Sequence, residues 1–152
     1  MGQLITYFAF NGNCKEAMKF YQLCLGGELH FQTLGESPIT EKLSENMKAY
    51  IVRASLKKGN MVLMGTDMVD EQLIPGNSVS VLLECNNEDQ IRTYYQNLRV
   101  GGKATHPIQK SHWGDLFGGL TDKYGNHWLF HCKESHISKS NKNGKNKIRD
   151  SR

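Results

Sequence analysis

The segment that decides the fold is YFAFNGNCKEAMKFYQLCLGGEL, residues 7–29. Its aromatic and apolar start is typical of a β-strand, and Asn-Gly-Asn follows as a turn. The stretch CKEAMKFYQLCL then places apolar side chains on one helical face, namely those of Ala17, Phe20, Tyr21 and Cys24. A Gly-Gly pair ends this stretch, as glycine does at a left-handed helix cap. The segment therefore predicts a strand, a turn and a helix.

The same plan recurs 75 residues later in NNEDQIRTYYQNLRVGGK, residues 86–103. The constant offset aligns Phe20 with Tyr95 and Leu23 with Leu98, and it carries one Gly-Gly pair onto the other. In the second copy the predicted apolar face consists of Ile91, Tyr94, Tyr95 and Leu98. Because turns, helix ends and register are all kept, the two segments indicate an internal duplication.

The duplication continues in two predicted hairpins. KKGNMVLM at residues 57–64 matches KYGNHWLF at residues 123–130 with an offset of 66, which aligns Leu63 with Leu129. In both, a tight Gly-Asn turn joins two strands. The offset drops because the first copy has nine extra residues, in the loop-like ESPITEKLSENMKA at residues 36–49. Each copy therefore reads strand, helix, strand, strand, strand.

We predict an α+β fold in which tandem βαβββ modules form a curved, partly open mixed-sheet barrel. The expected modules are residues 1–68 and 77–133, packed as one compact domain. A four-stranded sheet with one helix has only one covered face, so two such sheets are expected to pair. We expect the pair to enclose a cavity for a small ligand.

Composition places the chain among ordinary globular proteins, with 38% apolar and 22% charged residues. No apolar run approaches the roughly 20 residues that span a bilayer, and the first residues lack the pattern of a signal peptide. We therefore expect a cytoplasmic location and no membrane partner. The four cysteines form no C-x-x-C pair, so we interpret them as reduced packing residues.

The net charge of +4 lies in the C-terminal segment. Residues 1–133 carry 13 basic and 13 acidic side chains, whereas residues 134–152 carry six and two. This segment has few apolar residues, and we predict a basic, disordered tail. It could contact RNA or an anionic membrane, but it has no interleaved aromatic residues. We favour a solvated terminus and do not expect nucleic-acid binding.

With residues 7–29, the closing segment HWGDLFGGLTDKYGNHWLF at residues 112–130 resembles the PhnB-like branch of the vicinal oxygen chelate superfamily. Glyoxalase I, extradiol dioxygenases, and bleomycin and fosfomycin resistance proteins belong to this superfamily. The resemblance covers about residues 3–132. It implies a glyoxalase-like fold, with paired βαβββ modules around a cavity that is commonly completed in a homodimer.

In the metal-using relatives, each module contributes one ligand from its first strand and one from its last. The matching positions here are Ile5 or Thr6, Ser80 or Val81, Leu63 and Leu129. Apart from a weak hydroxyl, none supplies a donor that divalent metals prefer. We therefore predict no metal ligands and no cofactor.

A different metal site would have to use histidines. His127 and His131 share a strand face, but four residues of strand separate them by roughly 13 Å, too far for one ion. A metal site that combines His127 or His131 with His106 or His112 stays an alternative. The simpler interpretation makes these histidines part of a pocket wall or the surface.

The predicted ligand contacts are Arg53, Leu63, Ser80, Trp113, His127 and Leu129. Arg53 interrupts an apolar strand and could hold a carboxylate or phosphate, although a solvated arginine is the simpler interpretation. Trp113 could close over a ligand or pack between modules. If Leu129 faces the cavity, strand alternation sends Trp128, Phe130 and Cys132 to the helix side, where we predict core.

The leading functional hypothesis is a metal-independent protein that binds a small, partly apolar molecule in the cavity. The alternative is a lyase or dioxygenase-type enzyme with a noncanonical metal site or none, using His112, His127 or His131 as acid or base. A third hypothesis, an interaction protein acting through its tail, predicts that deletion of residues 134–152 abolishes function. The sequence contains no nucleophile elbow, P-loop or G-x-G-x-x-G turn, so we do not predict a nucleotide-dependent methyltransferase.

Overall fold

The computed structural model describes residues 2–38 and 42–137. The chain divides into two compact units, Met1–Ile74 and Pro75–Arg152. Each contains one four-stranded mixed sheet and a long helix, so the predicted α+β fold of tandem βαβββ modules is confirmed.

The elements of the first unit are β1 (Thr6–Ala9), α1 (Cys14–Leu25), β2 (Glu28–Thr33), α2 (Glu45–Lys48), β3 (Ile51–Lys58) and β4 (Met61–Thr66). Its sheet has the strand order β1-β4-β3-β2. Strand β1 runs parallel to β4, and the other neighbours are antiparallel. The short helix α2 lies in the segment where this copy has its nine extra residues, after a 3-10 turn at Leu34–Glu36.

The elements of the second unit are β5 (Val81–Cys85), α3 (Glu88–Leu98), β6 (Lys103–Lys110), β7 (Leu116–Thr121) and β8 (His127–Cys132). Its sheet repeats the topology of the first, with the strand order β5-β8-β7-β6. Again the first and last strands of the module are parallel neighbours, and the other pairs are antiparallel. The shared strand order confirms the duplication that the sequence offsets predict.

In each unit the helix covers one face of the sheet and forms the core with it. The predicted helical faces are buried, except that Tyr94 is only half-buried. Strand β8 alternates as predicted, since Trp128, Phe130 and Cys132 are almost fully buried while the residues between them are half-buried. Within the described residues, neither α1 nor α3 covers the opposite face of its sheet, and we call that face the open face.

Leu63 differs from the prediction, because it does not face the same way as Leu129. Thr6 pairs with Leu63, and Val81, 75 residues later, pairs with Trp128, so the structural counterpart of Leu63 is Trp128. Leu63 is 2% exposed. Two residues further on, a Cβ on Gly65 would meet Cys14 and Met18 of α1, which places this side of β4 under the helix.

The turn lengths explain the difference. In the first unit Lys58 pairs with Met61, which leaves the two-residue turn that the sequence predicts. In the second unit Thr121 pairs with His127, so five residues form the loop. Aligning the two Gly-Asn pairs therefore misplaces β4 against β8 by one residue, and one residue reverses the facing of every side chain in a strand.

A buried carboxylate organises each module at a different place. Asp67 accepts hydrogen bonds from the backbone N–H groups of Cys14 and Ile51, both at 2.9 Å, and so ties the start of α1 to β3. Asp122 accepts bonds from the backbone of Tyr124 and Asn126 and from Trp128 Nε1 at 2.8 Å. The longer loop of the second module is therefore built around Asp122.

The predicted tail is described only at its start. Residues 134–137 form a helical turn in which Ile137 is 4% exposed. Residues 138–152, where the rest of that prediction falls, lie outside the described residues. Over the described part of the chain, no helix is long and apolar enough to cross a membrane.

Candidate functional site on the open face of the second sheet

One row of side chains crosses all four strands on the open face of the second sheet. Strand register aligns Leu82 with Leu129, Leu129 with Gly119, and Gly119 with His106. We call these four residues the central row. Leu82 is 51% exposed, and Leu129 is half-buried. The row therefore presents apolar surface at one end and an imidazole at the other.

Gly119 is buried in the middle of the central row, where the Leu129 side chain packs over it. A Cβ at this position would lie 2.9 Å from Leu129 Cδ2 and 3.6 Å from His106 Nδ1. The backbone below is held by Tyr95, whose hydroxyl donates to the carbonyl oxygens of His106 and Gly119, both at 3.0 Å. The helix side of the sheet thus fixes the backbone of the central row at His106 and Gly119.

A second row lies beside the first and carries charge. Strand register aligns Glu84 with His131, His131 with Phe117, and Phe117 with Gln109. Phe117 is 43% exposed, so an aromatic ring is available on this face. Asp115, just before β7, reaches the same histidine.

His131 lies between two carboxylates. Its Nδ1 is 2.8 and 2.9 Å from the two oxygens of Glu84, and its Nε2 is 2.8 Å from Asp115 Oδ2. The hydrogen bond to Glu84 raises the pKa of His131 most, with Asp115 adding to it and partial burial opposing both. The pKa of Asp115 is lowered, first by the backbone N–H of Glu134 and then by His131. The three groups form an ion-paired cluster with a formal charge of −1 when His131 is protonated.

His127 has different hydrogen-bond partners from His131, and neither of them is a carboxylate. Its Nε2 lies 2.6 Å from the carbonyl oxygen of Gly76, which can only accept, so Nε2 carries the proton. Its Nδ1 lies 2.9 Å from Thr121 Oγ1. With both ring nitrogens in use, His127 holds the segment before β5 against β8.

The other predicted contacts are spread over the chain. Ser80 is exposed just before β5, and Trp113 is 81% exposed in the turn between β6 and β7, with the ring of His112 at 6.5 Å. Arg53 belongs to the first unit, where it is exposed beside Ala54, which packs on the helix side. Of the six predicted contacts, only Leu129 and His127 lie together on the open face of β8, and Leu63 is a core residue.

The donors on this face do not fit a metal ion of the superfamily type. Among the described residues, no group of three or more His, Cys, Asp or Glu side chains is placed to hold one. Glu84 and Asp115 bind opposite nitrogens of the His131 ring, so all three cannot share one ion. At the last-strand position Leu129 offers no donor.

The buried thiols do not supply a nucleophile either. All four cysteines are free and buried, as predicted. Burial, followed by the charges of Cys132 and Glu84, raises the pKa of Cys85 to about 12, and burial and Asp67 raise that of Cys14 to about 12. Neither forms the reactive thiolate near neutral pH.

Sequence reasoning did not select Glu84, Asp115 or Phe117. One available signal was strand alternation, because Glu84 stands two residues after Leu82 and must share its face. Another was the W-G-D motif, whose aspartate is Asp115. The contact between Glu84 and His131, 47 residues apart, depends on strand pairing.

The comparisons with known proteins agree with this architecture. Residues 2–130 match the family model for 3-demethylubiquinone-9 3-methyltransferase. Protein YjdN of Escherichia coli K12 is 28% identical over 135 residues, which cover 83% of this chain and 92% of YjdN.

Solved structures extend the agreement to the fold. Protein PA1353 of Pseudomonas aeruginosa aligns with a TM-score of 0.76 at 29% identity, over 88% of this chain and 98% of that one. The PhnB protein of Bacillus cereus aligns at 0.67 and 21% identity, over 86% and 99%. A glyoxalase/bleomycin resistance protein of Albidiferax ferrireducens shares the fold at 0.58 and 13% identity, over 85% and 96%. The chain therefore belongs to the 3-demethylubiquinone-9 3-methyltransferase family, and it shares its fold with the PhnB protein and with a glyoxalase/bleomycin resistance protein.

Proposed function

We propose that the protein binds a small, partly apolar molecule on the open face of its second sheet, without a metal ion. The central row carries this proposal. Small-molecule sites are mostly apolar with a few polar groups that fix orientation, and the row from Leu82 to His106 has this composition. Leu129 packs over Gly119, so the apolar surface that a ligand would contact is that of Leu82 and Leu129.

The exposure of large apolar side chains on this face supports the proposal. Leu82 and Phe117 keep 51% and 43% of their surface exposed, although both lie on regular strands. Clustered exposed apolar side chains mark binding surfaces more often than isolated ones do. A ligand that covered Leu82 would remove apolar surface from water and gain free energy in proportion to that area.

The absence of suitable donors at the family positions supports metal independence. The family name would suggest methyl transfer, but the chain has no glycine-rich turn of the dinucleotide type and no P-loop. The superfamily also includes resistance proteins, and binding alone requires only the surface described above.

A second candidate is an acid–base enzyme that works without metal. It is favoured by one observation, the partly exposed Glu84 carboxylate, which His131 orients on the same face as the central row. A carboxylate held in this way could accept a proton from a bound substrate. In that case Glu84→Gln would abolish turnover and leave binding intact.

The test is a thermal-shift screen of a metabolite and drug library in the presence of EDTA, followed by calorimetry on the hits. We expect Leu82→Ser to weaken binding by about tenfold, the equivalent of about 1.4 kcal/mol of lost apolar contact. The matched control is Leu23→Ser, because Leu23 is an 84% exposed leucine on α1 of the first unit. Hits that bind only after zinc, nickel or manganese is added would refute metal independence, and equal affinity of the Leu82 variant would refute the site.

A further inference from the structure

We propose that His131 is a proton-operated clasp. While the imidazole is protonated, it holds Glu84 and Asp115 together, and loss of the proton releases Glu84 from the cluster. The inference concerns the second module alone and does not depend on the proposed ligand.

The geometry of the ring requires the proton. Both ring nitrogens lie 2.8 Å from a carboxylate oxygen, and an ionised carboxylate can only accept. Only the imidazolium carries an N–H at both positions, whereas neutral histidine carries one. In the neutral ring, one carboxylate would face a lone pair at hydrogen-bond distance, and that contact is repulsive.

The clasp connects separate parts of the second module. Glu84 lies near the end of the edge strand β5, and His131 lies on the neighbouring β8. Asp115 Oδ1 accepts from the backbone N–H of Glu134 at 2.8 Å, at the start of the helical turn of residues 134–137. The backbone carbonyl of Asp115 also accepts from Ser111 N at 2.7 Å, which closes the turn that carries Trp113.

The two carboxylates are not equally held, and this decides which one is released. Asp115 keeps its bond to Glu134 whatever the state of the ring, and its side chain is 32% exposed. Glu84 is 55% exposed, and its hydrogen bonds among the described residues are those to His131. A neutral ring therefore keeps its single proton on Nε2 for Asp115, and Glu84 turns to solvent.

The surrounding charges favour the closed state. The charged groups around His131 are Glu84 from β5, Asp115 before β7, and Lys133 and Glu134 just after β8, with Lys133 acting on Asp115. Phe117, the register neighbour from β7, is neutral. The pKa of His131 is raised above its ordinary 6.5, chiefly by Glu84, so the clasp is closed at that pH. Opening it leaves two carboxylates without a cation between them and separates Glu84 from His131.

The experiment is an NMR titration of the full chain labelled with ¹⁵N and ¹³C. At pH 6.5 both ring nitrogens of His131 are expected to be protonated. As pH rises, the carboxyl carbon of Glu84 should shift with the same midpoint as the ring, while the amide of Glu134 keeps its protection from exchange. Glu84→Gln should move the His131 midpoint to lower pH. The control, Glu88→Gln, removes a carboxylate that pairs with Arg92 on α3 and should leave the midpoint unchanged.

Three results would overturn the clasp. They are a single protonated ring nitrogen at pH 6.5, a midpoint equal in wild type and Glu84→Gln, and loss of protection at Glu134 in step with the ring. The replaced side chains are partly exposed, so the variants are expected to fold. A His131→Gln variant gives a second readout, because the Glu84 carboxyl should then report no transition near neutral pH.

Discussion

Leu63 and Leu129 occupy matching positions in the two sequence copies but opposite faces in the structure, and this difference predicts unequal effects of one substitution. Leu63 is 2% exposed beneath α1, so Leu63→Ala removes a buried side chain and leaves a cavity. Core Leu→Ala substitutions cost 2–5 kcal/mol, and we expect about 3 kcal/mol here. Leu129 is half-buried on the open face, where solvent can replace the missing atoms, and we expect about 1 kcal/mol for Leu129→Ala.

The assay is equilibrium unfolding in urea, with the transition followed by tryptophan fluorescence and the slope compared between variants. Met64→Ala is the matched control, because Met64 pairs with Tyr7 and is half-buried on the open face of the first sheet. It should resemble Leu129→Ala. Equal losses for Leu63→Ala and Leu129→Ala, or a larger loss for Leu129→Ala, would refute the one-residue shift between β4 and β8.

Two further predictions follow from named contacts, and a third from the resemblance to the family. The raised pKa of His131 stabilises the fold below its ordinary 6.5, and this contribution is lost as pH rises through the raised value. The lowered pKa of Asp115 stabilises the fold above its ordinary 3.8, and this contribution is lost as pH falls through the lowered value. The free energy of unfolding, measured by denaturant titration, should therefore be largest between pH 3.8 and 6.5. In His131→Gln it should depend less on pH. Asp122→Asn should lower the free energy of unfolding by about 2 kcal/mol, because its amide would face the indole N–H of Trp128; the exposed Asp70→Asn, the control, should change it little, and equal losses would contradict this assignment. Light scattering at micromolar concentration should give twice the mass of 17.2 kDa if the predicted homodimer forms, and a monomer would remove that prediction.

The sequence predicted the module because its signals are local. The apolar spacing of residues 14–25 gives the bounds of α1, and the constant offset of 75 gives α3. The alternation in HWLFHC gives the buried face of β8, including Trp128. Each of these signals lies within one element, where backbone geometry alone determines which side chains share a face.

The residues of the candidate site could not be predicted in the same way, because they come together through contacts between strands that are distant in sequence. Leu63 was placed on the wrong face because identical Gly-Asn pairs end turns of two and five residues, and only the strand pairing shows this. His131 was weighed as a metal ligand beside His127, whereas its partners are Glu84 and Asp115. Those partners come from two other strands, so their approach depends on the sheet register rather than on spacing along the chain.

The central claim is that the open face of the second sheet binds a small molecule without metal, and chemical-shift mapping tests it most directly. A ligand from the screen is titrated into ¹⁵N-labelled protein in the presence of EDTA. We predict that the largest amide shifts fall on the central row, at Leu82, Gly119 and Leu129, with smaller shifts at Phe117 and His131. Shifts centred on the helix side of the sheet, or shifts that require an added divalent metal, would contradict the account.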